Sequence, residues 1–302
     1  MDAEQQFQSI VALLRKDARI NEEYVAEEVE ALARAGHAEA MALAATIAGA
    51  GYGRAQSWPD AFAWLAVAAG KGHAGARGQF EALGVSFESG GGIDVEAWTE
   101  PRWRRWPDDG PRIGQSEGFL EPELCDYLIA RAAPLQASAL VYDPISGRAA
   151  ESDIRSNSVA TFGLLDLDLP LLLIRERIAA TMGVPVSHLE RTSVFRYLPG
   201  QTFGPHYDFL QPSPQLDAEI AEMGQRPLTF LVYLNDAFEG GETRFLKLDR
   251  KFKPAAGGAL FFYNVDEHGA PDPLTEHEGA PPTRGEKWLL SQFIRDKPQL
   301  PG

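Results

Sequence analysis

Four runs of β-branched and aromatic residues, at 192–197 (TSVFRY), 228–234 (LTFLVYL), 259–263 (ALFFY) and 288–294 (WLLSQFI), are separated by stretches rich in glycine and proline. Short runs of this kind bounded by turn formers read as strands, and the punctuation suits antiparallel pairing. The C-terminal part of the chain is therefore expected to be a β domain with helices stacked outside it. One helix is entered through Pro122 after a loop, and a second covers 171–182. The first 85 residues differ: Ala, Glu and Leu dominate, and Val25, Val29, Leu32 and Ala33 recur with helical spacing. The fold class expected is α+β, with a small all-α domain at 1–85, a linker at 86–112 and the β domain at 113–302.

Within the helical part, Gly36-His37-Ala38 with Ala40 recurs as Gly72-His73-Ala74 with Ala76, an offset of 36 residues. Between the copies, AFAWLAVAA at 61–69 alternates small and bulky residues, as packed helix pairs need. The segment resembles Sel1-like or tetratricopeptide-type helical repeats. So short an array is expected to cap the second domain or to contact a partner protein. Residues 86–112 carry glycines 90–92, Pro101, Pro107 and Pro111, the marks of a linker. Trp98, Trp103 and Trp106 suggest that it is pinned to a surface.

Of the 302 residues 44% are hydrophobic, enough to bury a core. The formal net charge of −15 argues against nucleic acid or an anionic membrane as a bulk partner, leaving only a local basic patch at 102–105. Cys125 is the single cysteine, so no intrachain disulfide forms, and a buried structural thiol is expected. The N-terminus is broken by charges and lacks the apolar core of a signal peptide. A cytoplasmic location is expected.

Among the strand-like runs lie His206-Tyr207-Asp208, Gly240-Gly241-Glu242-Thr243, His277 and Lys287. Two histidines and a carboxylate can occupy one face of an Fe(II) octahedron and leave three positions for a chelating 2-oxo acid and O2. On a strand, residues i and i+2 share a face, so His206 and Asp208 can converge while Tyr207 points away. The pattern alone is weak. His37-x-Glu39 and His188-x-Glu190 offer the same ligand types at the same spacing; the first falls in helical sequence, where i and i+2 diverge, while the second is not excluded by geometry. His268 competes with His277 for the third position.

Context separates them. The stretch LERTSVFRYLPGQTFGPHYD at 189–208 resembles the approach to the metal motif of prolyl 4-hydroxylase-type Fe(II)/2-oxoglutarate dioxygenases. RSNS at 155–158, RPLTFLVYLN at 226–235, GGETRF at 240–245, GALFFYN at 258–264 and HEGAPPTRGEKW at 277–288 follow in the family's order. The resemblance implies a double-stranded β-helix, or jelly-roll, catalytic domain with flanking helices. It implies His206, Asp208 and His277 as the iron ligands, with His268 left in a solvated turn. Lys287 then supplies the cation for the distal carboxylate of 2-oxoglutarate, and Tyr197 and Thr243 complete that pocket. Arg155 and Arg244 are candidates for contact with substrate, and the loop at 211–225 could be a lid or an inert excursion.

The activity implied is hydroxylation of a C–H bond, with 2-oxoglutarate and O2 consumed, succinate and CO2 released and ascorbate as the reductant. A prolyl residue in a protein or peptide is the leading target, presented with help from the helical domain. Alternatives are a small-molecule hydroxylase and a binding protein that senses O2 or 2-oxoglutarate. Two departures from the family pattern, Phe293 where a second tryptophan is common and Pro281-Pro282 for the more frequent Pro-Val, lie where they could reshape the outer pocket.

Overall fold

The computed structural model describes residues 2–16, 20–88, 92–102, 111–139, 141–143, 148–150, 154–211, 213–214 and 216–299. Trp103, Arg104, Arg105, Trp106, Pro107, Pro212 and glycines 90 and 91, on which parts of the linker, basic-patch and lid expectations rest, lie outside the described residues. The chain divides into two compact units, residues 1–100 with 162–180, and residues 101–161 with 181–300.

The first unit is helical. Helices Glu22–Arg34 and Trp58–Gly70 begin 36 residues apart, as do Ala38–Ala50 and Ala74–Ala82, so the repeat seen in the sequence is one of helix pairs. The caps repeat too. Asn21 and Ser57 accept from the N–H of Tyr24 and Asp60, and His37 and His73 accept through Nδ1 from the N–H of Ala40 and Ala76. Gly36 and Gly72 provide the positive φ (102° and 90°) that lets the chain leave one helix and start the next. His37 also meets Glu4 Oε2 through Nε2 at 3.0 Å, so the first decoy is a helix cap.

Val25, Val29, Ile47, Leu65 and Phe80 form the core of this unit together with Leu169, Leu172 and Leu173. These last residues come from Leu169–Met182, the helix that sequence spacing places in the β domain at 171–182. Residues 162–180 group with the helical unit because their leucines are buried in its core, and Gly49 has no side chain to block Leu169, whose Cδ2 lies 2.9 Å from where a Cβ would stand. The units divide at 100/101, inside the stretch 86–112 read as a linker, and 162–180 joins the first of them. Trp98 lies within the first unit, where the Arg177 guanidinium stands 3.4 Å from its ring centre and Arg177 Nε donates to its carbonyl at 2.8 Å.

The second unit is built on two antiparallel sheets. Seven strands run in the order Ile113–Ser116, Ala259–Tyr263, Leu228–Tyr233, Lys287–Ile294, Ser193–Tyr197, Ser158–Thr161 and Ala137–Ser138. All four strand-like runs read from sequence lie in this sheet. The second sheet, in the order Arg250–Phe252, Thr243–Phe245, His277–Gly279 and Phe203–His206, consists of strands three or four residues long, too short for a periodic signal. Phe195, Tyr197, Leu231, Tyr233, Phe245, Phe252, Leu260, Phe262 and Leu289 fill the space between the sheets. On the other face of the large sheet, Phe230 packs against Phe119 and stacks on Phe261. Mixed helices and antiparallel sheets of this kind are consistent with a jelly-roll oxygenase.

The loop at 211–225 contains the helix Asp217–Met223, which is tied to the C-terminal segment. Arg295 donates to Glu219 and to the carbonyl of Gly224, both at 2.7 Å, and Gln299 donates to the carbonyl of Met223. Arg295 also bonds Glu190, whose carboxylate receives Arg226 in a two-pronged pair at 2.6 and 2.9 Å. His188 Nδ1 faces the Arg295 carbonyl at 3.0 Å, so the second decoy belongs to a structural network. Glu190→Ala would leave two guanidinium groups without their shared carboxylate in a largely buried place. It should cost about 3–5 kcal/mol, measured by urea unfolding, and a loss below about 1 kcal/mol, the scale of a surface pair, would contradict this account.

Candidate active site

Strand register brings the site together. His277 lies opposite His206, Phe245 opposite His277 and Thr243 opposite Gly279 in the four-stranded sheet, while Lys287 lies opposite Tyr197 in the seven-stranded sheet. His206 ends its strand, and Asp208 falls in the bend just after it. The expectation of two ligands on one regular strand is thus met by a strand end and a bend. Tyr207 points away, as expected, and its hydroxyl receives Lys247 at 2.7 Å.

Asp208 Oδ1 is 3.4 Å from His206 Nε2, and Oδ2 is 3.5 Å from His277 Nε2; one donor atom from each residue lies within 4.8 Å of the others. Donors on adjacent octahedral positions about 2.1 Å from an ion stand roughly 3 Å apart, so this spacing fits a divalent metal. The ring orientations fit as well. His206 Nδ1 is 2.8 Å from the Gly204 carbonyl and His277 Nδ1 is 2.9 Å from that of Thr275. A carbonyl only accepts, so each Nδ1 carries the proton and each Nε2 offers a lone pair to the centre. Phe203 stacks on His206 with centroids 3.5 Å apart.

Burial pushes the His277 imidazole down to about 4, leaving it neutral at physiological pH. Burial alone would raise the Asp208 carboxyl, but the facing His277 and His206 and the Thr229 hydrogen bond outweigh it and hold it well below the usual carboxylate range. Neutral imidazoles and an ionised carboxylate are the forms that bind metal.

Beside the triad, Lys287 is fully buried, and among the described residues its Nζ makes no hydrogen bond. It lies 4.9 Å from the ring centres of both Tyr197 and Tyr233. Desolvation pushes the ammonium down to about 7, with the Glu242 carboxylate opposing it. Ser291 Oγ, two alternations further along the same strand, is also buried without a hydrogen bond among the described residues. Both residues line one pocket with the triad, Tyr197 and Thr243. A buried ammonium and a buried hydroxyl, neither with a hydrogen bond among the described residues, fit a small acid carrying several oxygens. Thr243 is held by Tyr233, whose Oη lies 2.8 Å from Thr243 Oγ1. Gly279 is needed for clearance, since a Cβ there would stand 3.1 Å from Tyr197 Oη.

The two arginines part company. Arg155 packs over Phe195 and Phe203, both lining residues, at 4.8 and 4.4 Å, and its Nε donates to Asn157 Oδ1 at 3.2 Å. Arg244 is not at the pocket. Thr243 and Phe245 on either side of it point inward, so strand alternation turns Arg244 outward to pair with Glu242 at 3.1 Å and Glu278 at 3.6 Å. His268 lies in an exposed turn, apart from the triad. Tyr233, Thr229, Asn264 and Ser291 are site residues that sequence reasoning did not single out. The available signal was a polar group inside an apolar run, such as Thr229 in LTFLVY or Asn264 closing ALFFYN.

A sequence profile of the 2OG-Fe(II) oxygenase superfamily matches residues 192–295, which contain the triad and Lys287. Prolyl 4-hydroxylase 1 of Arabidopsis thaliana is 33% identical over 201 residues, covering 62% of this chain and 70% of that protein. Probable prolyl 4-hydroxylase 3 of the same plant is 31% identical over 235 residues, covering 71% and 78%. Among solved structures, the viral collagen prolyl hydroxylase of Paramecium Bursaria Chlorella virus-1 in complex with 2OG is 28% identical with a TM-score of 0.46, covering 61% of this chain and 95% of that one.

Proposed function

The chain belongs to the prolyl 4-hydroxylase family of 2OG-Fe(II) oxygenases, and from that premise we propose that it hydroxylates a prolyl residue in a protein or peptide. It is a 2-oxoglutarate-dependent dioxygenase requiring Fe(II) and O2. In this reading His206, Asp208 and His277 hold the metal, with both imidazoles oriented by backbone carbonyls. Iron held by these three residues would supply O2 activation coupled to decarboxylation of 2-oxoglutarate to succinate and CO2. Lys287 binds the distal carboxylate; Tyr197, Tyr233 and Thr243 wall that end of the pocket and keep water from it. The observation that carries the reading is the buried ammonium of Lys287, unpartnered among the described residues, in the same pocket as a His-Asp-His donor set.

Arg155 is the proposed contact for substrate at the pocket edge, held flat by Phe195 and Phe203. The helix pairs of the first unit are read as Sel1- or tetratricopeptide-like and as a surface for the protein that carries the target proline. Ascorbate as reductant and a cytoplasmic setting complete the proposal; no helix among the described residues is long and apolar enough to cross a membrane. The test is to incubate the protein with Fe(II), ascorbate, 2-oxoglutarate and a library of proline-containing peptides. Succinate release should rise with a subset of them, and mass spectrometry should find one added oxygen on proline. Protein that binds iron and 2-oxoglutarate yet releases succinate only with a free amino acid would replace the peptide reading with the small-molecule one.

A further inference from the structure

We propose that Thr229 and Asn264 form a one-way hydrogen-bond relay that fixes Asp208 as a one-oxygen metal ligand. The proposal rests on the metal role given above to His206, Asp208 and His277. Thr229 is 1% exposed and Asn264 fully buried, so neither side chain exchanges its partners with bulk water. Thr229 Oγ1 lies 2.7 Å from Asp208 Oδ2. Behind it, Asn264 Nδ2 lies 2.9 Å from the same Oγ1 and 3.1 Å from the Arg226 carbonyl oxygen.

The polarity of this chain follows from what each group can do. The Arg226 carbonyl only accepts, so the Asn264 amide must turn its NH2 to that side. One of its protons goes to Arg226 and the other to Thr229 Oγ1. The threonine hydroxyl, now an acceptor from Asn264, has one proton of its own and directs it to the charged oxygen in front of it, Asp208 Oδ2. The opposite end of the amide, Asn264 Oδ1, is buried and has no hydrogen bond among the described residues. Asn264 thus contributes here as a pair of donors, at the expense of an unmet acceptor.

The consequence is for coordination number. A carboxylate can bind a cation through one oxygen or two. Oδ1 stands 3.4 Å from His206 Nε2 and Oδ2 3.5 Å from His277 Nε2, and because Oδ2 gives one lone pair to Thr229, Oδ1 is the oxygen freer to bind. One-oxygen binding with two histidines fills three octahedral positions and leaves three, enough for a two-point 2-oxo acid and O2; two-oxygen binding would leave one too few. Thr229 and Asn264 are therefore positioning residues.

The experiment is titration of the full chain with Mn(II) and Co(II) in the absence of 2-oxoglutarate and substrate. Thr229→Val keeps the shape and removes the hydroxyl; it should weaken Mn(II) binding by roughly tenfold to a hundredfold, the range for outer partners of metal ligands, and alter the visible spectrum of bound Co(II). Thr229→Ser should restore both. Asn264→Leu, which leaves the hydroxyl but removes the donor that occupies its acceptor side and polarises it towards Asp208, should weaken Mn(II) binding in the same direction, and it carries the test if circular dichroism shows Thr229→Val unfolded. A folded Thr229→Val or Asn264→Leu with wild-type affinity and spectrum would overturn the relay, as would a Thr229→Ser as weak as the valine variant. Wild-type protein that binds neither ion would instead overturn the metal triad itself.

Discussion

Asp208→Ala is expected to abolish 2-oxoglutarate turnover, lowering succinate release by at least about 10³-fold, the scale of the several kcal/mol that a bound metal contributes. The reason is specific to this residue. Asp208 is the only charged member of the triad, and each of its oxygens faces one histidine, at 3.4 and 3.5 Å. Removing it leaves two imidazoles and no anion in the triad to offset a divalent charge. Metal content after dialysis should fall in parallel. Retention of stoichiometric iron together with wild-type succinate release would refute the assignment. The fold should survive, because Asp208 sits in a bend beyond the strand Phe203–His206 and breaks no ladder pair.

Lys287→Met should have opposite effects on binding and on stability. Truncating one partner of a buried charge pair costs about 2–5 kcal/mol, so the KM for 2-oxoglutarate should rise roughly 30-fold or more. In the co-substrate-free protein, however, Lys287 is a buried ammonium without a hydrogen bond among the described residues. Replacing it with an apolar side chain of similar length should raise stability by on the order of a few kcal/mol at neutral pH and below. A variant that binds 2-oxoglutarate as well as wild type, or one that melts earlier, would contradict this.

The same lysine sets a pH dependence. Its folded-state value, about 7, lies below the ordinary lysine value of 10.5, so between these limits the unfolded chain binds more protons than the folded one. Stability of the co-substrate-free protein should therefore rise with pH across that window. Affinity for 2-oxoglutarate should fall over the same range, because the neutral amine must take up a proton to pair with the carboxylate. Calorimetric titrations in two buffers of different ionisation heat would reveal that uptake near pH 8. Equal heats and a flat affinity profile would show that Lys287 is charged before the ligand arrives.

Much of the β domain was legible because its central strands are long. The runs at 192–197, 228–234, 259–263 and 288–294 each match a strand of the large sheet to within about a residue at either end, the usual uncertainty of element boundaries. The small sheet was not legible. Thr243–Phe245 and His277–Gly279 have three residues each, and only pairing with neighbours distant in sequence makes them strands. Arg244 shows the cost: without knowing that Thr243 and Phe245 face inward, its side could not be assigned. Helix Leu169–Met182 is apolar on several sides, so spacing marked it as a helix but could not say which core it would join. The 36-residue repeat, by contrast, was visible because its signal lies in caps, where Gly36-His37 and Gly72-His73 act locally.

The sequence by itself determined which residue types were available at which spacing: a His-x-Asp, a later histidine, a lysine ten residues on, and the family to which that order belongs. These are properties of local chemistry and chain order. The tertiary structure decided which of the competing pairs converge, that Arg155 lies by the pocket and Arg244 does not, that Tyr233 joins Tyr197 over Lys287, and that Thr229 and Asn264 stand behind Asp208. Such facts depend on cross-strand register and on burial. A hydrogen bond between residues 35 positions apart, like that from Asn264 to Thr229, exists only once two strands have paired and water has been excluded from between them.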